Sequence, residues 1–315
     1  MITGGAGFIG GRVVAALLER GDEVVALVRD RRRAAHLAEL GAELVESDLS
    51  DLARLTRDLE AADGLIHAAG SYRVGVRKSE RGAMWDANVG TTTRILDAAE
   101  VAGTPRMVYL STVGVYGNTR ETVVDETYRR DLAEGFLSWY DETKFGAHEV
   151  VEQRIRGGAP VVIALPSQVY GPGDPSQVGE WLRQASLGRL RAIALDDVGL
   201  GFVHVDDLAG GIVAALDRGR LGESYVLSGP TLRLRDVVAT AAAVNGHKPP
   251  RLRIPTAFLR VLAPAVTRLG TTNLRELISA GTGVTHWASS AKAESELGFR
   301  PRSVEQGLRD TFATL

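Results

Sequence analysis

A chain of 315 residues, 44% hydrophobic and 24% charged, is long enough to bury a sizeable core as one large domain or two smaller ones. A formal net charge of -2 argues against nucleic acid or an anionic membrane as partner, and the absence of cysteine excludes disulfides and thiolate metal sites. No apolar run reaches the roughly 20 residues that span a bilayer, and no signal peptide precedes the first glycine-rich turn, so a cytoplasmic protein is expected.

The chain opens on Thr3-Gly4-Gly5-Ala6-Gly7-Phe8-Ile9-Gly10, a bend between a strand and a helix. Gly5, Gly7 and Gly10 fit G-x-G-x-x-G; Thr3, Gly4, Gly7 and Gly10 fit the related T-G-x-x-G-x-x-G. Such a turn lets the backbone close on a pyrophosphate, and the helix starting at Phe8 and Ile9 offers that anion free N–H groups. Only Met1 and Ile2 precede Thr3, against about 5–6 residues in an average strand. The natural start of the chain is therefore expected a few residues upstream.

Ile9, Val13 and Leu17, with Val14 and Leu18, repeat at helical spacing until Gly21. A buried strand is predicted over Glu23–Val28, a helix around Leu37 and Leu40, and strands over Glu43–Glu46 and Gly64–Ala68. A loop with Tyr72 and Arg73 leads to a helix from about Asn88 to Ala102. Strands follow at Arg106–Ser111 and Pro160–Leu165, with a helix through Tyr140 and Val151 between them. This alternation predicts an α/β fold, a Rossmann-like doubly wound parallel sheet. After Pro166 turns such as Gly171-Pro172-Gly173-Asp174-Pro175 interrupt it, while Phe202–Val205 and Ser224–Leu227 still read as strands. The expected division is a dinucleotide-binding domain over 1–166, rejoined by 202–228. A smaller C-terminal α/β substrate lobe would comprise 167–201 and 229–315, where Phe258, Leu259, Leu262 and Val266 form an apolar stripe suited to a lid.

Three features give the glycine turn its chemistry. Where an NAD site places an acidic residue at the end of the second strand, this chain has Val28 and then Arg29, which suits a 2′-phosphate and hence NADP. Asp48 and Leu49 stand where adenine would lie, and Ala68 and Ala69 are small where backbone must pass the cofactor. His67 reads as a packed structural histidine. Tyr140 and Lys144, four apart, share a helix face, so the ammonium is expected to lower the phenol's pKa towards useful acid/base strength. Ser111-Thr112, at the carboxyl end of a strand, puts a hydroxyl where open α/β sheets carry their sites.

Together these residues resemble the extended short-chain dehydrogenase/reductase family, of the NAD-dependent epimerase/dehydratase superfamily. The matching landmarks are TGGAGFIG at 3–10, DL at 48–49, HAAG at 67–70, Asn88-x-Gly90-Thr91 and YLSTVGVYG at 109–117. They continue with YDETK at 140–144, PSQVYGPGD at 166–174, FVHVDDLA at 202–209 and AKAESELGF at 291–299. The resemblance implies Thr112, Tyr140 and Lys144 as the catalytic triad, Thr112 being four residues before Tyr116. It implies Pro166 and Val169 beside the nicotinamide, and a homodimer through the helices near Asn88 and Tyr140.

Family members acting on sugar nucleotides carry an arginine before the segment matching FVHVDDLA and another before the AKA segment. Here Val198–Gly201 and Gly281–Trp287 contain none, although Arg183, Arg189 or Arg275 remain as substitutes. The Val28-Arg29-Asp30 run is similar to that of the dihydroflavonol-reductase-like branch. The expectation is an NADP-dependent oxidoreductase of a fairly apolar carbonyl or alcohol, with Tyr72, Tyr116, Trp139, Gln168, Trp181 and Trp287 as candidate pocket lining. The alternatives are a nucleotide-sugar epimerase or dehydratase with tightly held NAD, and a non-enzymatic NADP-binding sensor. No metal is implied.

Overall fold

The computed structural model describes residues 1–259, 261 and 273–312. Six strands succeed one another in the first half: β1 (Ile2–Thr3), β2 (Val25–Val28), β3 (Glu43–Glu46), β4 (Leu65–His67), β5 (Met107–Leu110) and β6 (Val161–Pro166). Later come β7 (Gln168–Tyr170), β8 (Ala192–Ala194), β9 (Gly199–His204), β10 (Ser224–Leu227), β11 (Thr231–Arg233), β12 (Leu252–Ile254) and β13 (Thr285–His286). The helices used below are α1 (Phe8–Arg20), α2 (Ala35–Glu39), α3 (Leu52–Leu59), α4 (Arg81–Trp85), α5 (Thr91–Ala102), α6 (Trp139–Arg156), α7 (Gln177–Ser186), α8 (Val205–Arg218) and α9 (Leu234–Val244).

The main sheet runs β3-β2-β1-β4-β5-β6-β10, and every neighbouring pair is parallel. This is the doubly wound order, extended by one strand beyond β6. Side chains alternate across it. Val108, Leu110, Val162 and Ala164 pack with residues of α1 and α8, while Met107, Tyr109, Val161, Ile163 and Leu165 pack with residues of α3, α5 and α6. Covered on both faces, the strands are almost wholly apolar, as buried parallel strands must be. Among the described residues no helix is long and apolar enough to cross a membrane.

Several boundaries differ from expectation. The helix expected from Asn88 starts earlier, at α4, and passes through a wide turn at Asp86–Gly90 before α5. Asn88 sits in that turn with its amide bonded to Ser71 O at 3.1 Å and Thr143 Oγ1 at 2.9 Å. On α2, Leu37 is buried but Leu40 is 54% exposed, because the helix ends at Glu39. The expected return of the chain to the main sheet at Phe202 comes instead at Val205. Strand β9 lies in a second sheet, parallel to β7 and β13 and antiparallel to β11, and it is α8 and β10 that rejoin the first. Tight packing holds β9 there, since a Cβ on Gly201 would lie 2.1 Å from Ser228 Oγ and 3.1 Å from Ser167 Cβ. In the apolar stripe Phe258 is exposed, while Leu262 and Val266 lie outside the described residues.

The glycine turn is set by close approach. Gly4 has φ +73°, and a Cβ there would lie 2.6 Å from Ala69 N and 2.7 Å from the Ala68 carbonyl. The first turn of the chain thus rests on the backbone that follows β4. At Gly10 a Cβ would lie 2.2 Å from Gly4 O. Gly10→Ala is therefore expected to cost about 2–3 kcal/mol and to abolish dinucleotide binding. Gly11→Ala, whose Cβ would meet Gly5 O at an ordinary 3.5 Å, should leave both intact. Thermal unfolding with dinucleotide titration of the two variants checks the contrast.

Candidate active site

Helix α1 begins at the N-cap Gly7 with no capping side chain and no acidic residue in its first turn. Its first N–H groups and its positive end therefore stand unneutralised at the cradle formed by Gly4 and Gly10, which suits an anion. At the end of β2, Asp30 takes the amides of Arg32 and Arg33 at 2.9 and 3.3 Å. Exposed Arg29 enters none of the ion pairs among the described residues. Beyond β3 the Asp48 carboxylate accepts from Ser50 N at 2.9 Å and Ser50 Oγ at 2.6 Å, which holds its pKa below the usual range. Leu49 adopts φ +64°, and its carbonyl is bonded by Arg94 Nε at 2.9 Å. These residues fit a dinucleotide lying along the carboxyl edge of β1, β2 and β3.

His67 is a structural group. Its side chain has no exposure, and its nitrogens lie 2.7 Å from Thr3 Oγ1 and 3.1 Å from Thr92 Oγ1. Burial, with Lys144 adding to it, pushes the imidazole down to about 3, so it stays neutral at physiological pH.

Helix α6 carries Tyr140 and Lys144. Ser138 caps it, its Oγ accepting from Asp141 N at 3.0 Å. Asp141 in turn holds Arg130 through two bonds, Nη1–Oδ1 at 2.8 Å and Nη2–Oδ2 at 3.2 Å, with both side chains under 10% exposed. Arg130 also donates to Gly135 O at 2.8 Å and lies over the Phe136 and Phe145 rings. This buried clamp ties the 118–138 loop to the turn bearing Tyr140; removing one partner would leave the other charge stranded.

Lys144 Nζ donates to Leu110 O at 2.8 Å, and Thr112 stands beside the Tyr140 phenol. The Tyr72 ring meets the Tyr140 ring edge-on, centroids 4.9 Å apart. Burial raises the Tyr140 pKa above 10, Tyr72, Tyr109 and Asp141 raise it further, and the neighbouring Thr112 hydroxyl opposes them. The expected lowering by Lys144 is thus overturned: burial penalises the phenolate more than the site stabilises it. Ser111, beside Thr112, has turned its hydroxyl to His148 Nδ1 at 3.0 Å.

The expected lining separates into two groups. Tyr72 is 61% exposed beside Tyr140. Trp139 N donates to Glu276 from the helix Leu274–Gly281, and its indole donates to Arg81 O at 3.1 Å. Gln168 and Val169 run along β7 after the buried Pro166. Tyr116, by contrast, is a core side chain, edge-on to Tyr128, and Trp181 packs under the second sheet. Trp287 lies under Arg233, which the residue pattern did not single out; the antiparallel β9–β11 register sets Arg233 opposite Gly199. That guanidinium is occupied by Glu121 and by Asp197 O at 2.6 Å. Arg183 is paired with Glu180 at 2.9 Å, Arg189 is exposed, and the side chain of Arg275 lies outside the described part.

A doubly wound sheet, a glycine cradle at its carboxyl edge and a Thr/Tyr/Lys group beyond β5 define a dinucleotide-dependent α/β enzyme. Residues 1–228 match the model of the NAD dependent epimerase/dehydratase family. The chain belongs to this family, in its extended short-chain dehydrogenase/reductase branch, and is an NAD(P)-dependent enzyme of oxidoreductase type. It is 30% identical to a putative dihydroflavonol 4-reductase of Synechocystis, over 98% of this chain and 92% of that protein. It is 29% identical to sterol demethylase protein B of Methylococcus capsulatus, over 99% and 97%. The crystal structure of gox2253 superposes with a TM-score of 0.83 at 32% identity, covering 99% of this chain and 96% of that one.

Burial pulls Lys144 from 10.5 to about 8. Between those values the unfolded chain holds a proton there that the folded chain lacks, so stability rises with pH across the window and the burial cost is complete below about 8. Lys144→Met is expected to be the more stable protein near pH 7.5 by on the order of 1–2 kcal/mol, the lost bond to Leu110 O offsetting part of the gain. Urea midpoints should show that advantage shrinking near pH 9.5.

Proposed function

We propose that the protein is an NADP-dependent reductase, or alcohol dehydrogenase, of a fairly apolar carbonyl/secondary-alcohol substrate. The observation that carries this reading is the half-buried Tyr140 phenol beside Thr112, which desolvation keeps protonated next to the exposed Tyr72. Such a phenol suits donation to a carbonyl oxygen during reduction. Gly4, Gly7, Phe8, Ile9 and Gly10 would hold the pyrophosphate, Arg29 the 2′-phosphate, and Asp48 and Leu49 the adenine side. Ala68, Ala69, Pro166 and Val169 would border the nicotinamide half, with Lys144 at its ribose. When bound, the dinucleotide supplies or accepts the hydride. Thr112 Oγ1 binds the substrate oxygen, and Tyr140 Oη gives it a proton in reduction and takes one back in oxidation. Segments 167–201 and 229–315 would hold the remainder of the substrate, and a homodimer in the cytoplasm is the proposed form.

Similarity to a dihydroflavonol reductase and a sterol demethylase protein supports an apolar, polycyclic substrate class. Occupation of Arg233 by Glu121 supports it too, since the arginine nearest Trp287 is already neutralised. The second reading, a nucleotide-sugar epimerase or dehydratase with tightly held NAD, rests on the description of the family itself.

A spectrophotometric panel of NADPH and NADH against ketones, aldehydes and sugar nucleotides separates the two. NADPH consumption with an apolar ketone is expected; turnover confined to sugar nucleotides with no net dinucleotide consumed would replace the first reading by the second. Tyr140→Phe should lower kcat by about a thousandfold while dinucleotide affinity stays within about threefold. Arg29→Asp should reverse the preference between the two dinucleotides, and an unchanged NADPH/NADH ratio would remove NADP from the proposal.

A further inference from the structure

The face of α6 that bears Tyr140 and Lys144 continues, at the same four-residue spacing, through His148 and Glu152. Three of these side chains meet three consecutive residues of the chain leaving β5. Lys144 Nζ bonds Leu110 O at 2.8 Å, His148 Nδ1 lies 3.0 Å from Ser111 Oγ, and the Tyr140 phenol stands beside Thr112. His148 Nε2 lies 3.4 Å from Glu152 Oε1. The bond to His148, with Arg129 and Arg156 nearby, holds the Glu152 carboxyl below the usual range, so it stands as a charged acceptor. An imidazole whose Nε2–H points at a carboxylate has Nδ1 free to accept, and the Ser111 hydroxyl is the donor it meets.

We infer that His148 is a positioning residue for the reaction, holding Ser111, and through it the adjoining Thr112, in register with Tyr140. This rests on the assignment of Thr112 and Tyr140 to the chemistry proposed above. Ser111 and His148 are 4% and 7% exposed, so neither meets substrate; they act through the backbone they fix. The other bonds of Thr112 run into its own short turn, where its carbonyl accepts from Val115 N at 3.2 Å. Its backbone is extended, with φ -166°, and its Oγ1 accepts from Gly114 N at 3.1 Å as the cap of the short turn Val113–Tyr116. The Ser111 amide is tied to Ala164 O at 2.8 Å, which fixes the strand and leaves the Ser111 hydroxyl to anchor this residue to α6. The bond to His148 supplies that anchor. Since a misplacement of about 1 Å can cost on the order of a hundredfold in rate, a bond one residue from the hydroxyl that holds the substrate has a catalytic consequence.

The test compares wild type, Ser111→Ala, His148→Leu and His148→Asn as full-length proteins, on whichever substrate class the wild type turns over. His148→Asn keeps an acceptor near the place of Nδ1. We expect Ser111→Ala and His148→Leu to lose about tenfold in kcat, with dinucleotide Kd within about twofold, and His148→Asn to regain most of the loss. Wild-type kcat in Ser111→Ala and His148→Leu, or an Asn variant no better than Leu, overturns the inference. Side-chain nitrogen NMR of the dinucleotide-free protein gives a readout without turnover: His148 should be the Nε2–H tautomer, with a Nδ1 resonance that shifts in Ser111→Ala. An Nδ1–H tautomer overturns the inference even if activity falls. A wild type that interconverts sugar nucleotides and reduces no ketone removes the reductase reading, while the same kcat comparison still decides the role of His148.

Discussion

The structure depends on how one helix docks against the end of one strand. Leu110 closes β5 with its carbonyl directed at Lys144 Nζ, 2.8 Å away. A parallel sheet leaves carbonyls unpaired at its carboxyl edge, and an unpaired buried carbonyl is costly. A lysine that satisfies this one must enter the core to do so, and it loses about two and a half pKa units to burial, from 10.5 to about 8. The same docking brings Tyr140 to Thr112 and His148 to Ser111, so the reactive geometry follows from a backbone bond that any such sheet edge needs.

Burial decides the character of this site more than charge does. The phenol of Tyr140 is driven up by desolvation, and Tyr72 reinforces this by covering its ring edge-on. Two arginines are already paired: Arg130 with Asp141 and Arg233 with Glu121. Exposed Arg29, in no ion pair among the described residues, lies instead just beyond β2. A desolvated phenol and an exposed arginine beyond β2 are what the proposed reduction of an apolar carbonyl calls for.

Two glycines at the same carboxyl edge, beyond β1, illustrate the same economy of space. Gly4 lies against the backbone of Ala68 and Ala69, and Gly10 against Gly4 itself. These close backbone contacts bring the unneutralised start of α1 up to the sheet edge. That closeness also explains why His67 is structural. It sits beneath the same junction with both nitrogens bonded to threonines, and a proton there would have no counter-charge.

Much of this was legible in the sequence because it is local. The glycine spacing, the alternation of apolar strands with helices and the four-residue step from Tyr140 to Lys144 each depend on residues close in the chain. The sequence by itself determined the doubly wound sheet, the cradle and the face on which the tyrosine and lysine stand. The tertiary structure alone decided that β9 joins the second sheet, that Tyr116 belongs to the core and that Arg233 faces Glu121. It also decided that Ser111 turns to His148 while Thr112 turns to Tyr140, and that the phenol's pKa rises rather than falls. Each of these depends on which distant segments pack together and how much water they exclude, and neither spacing nor residue type encodes that.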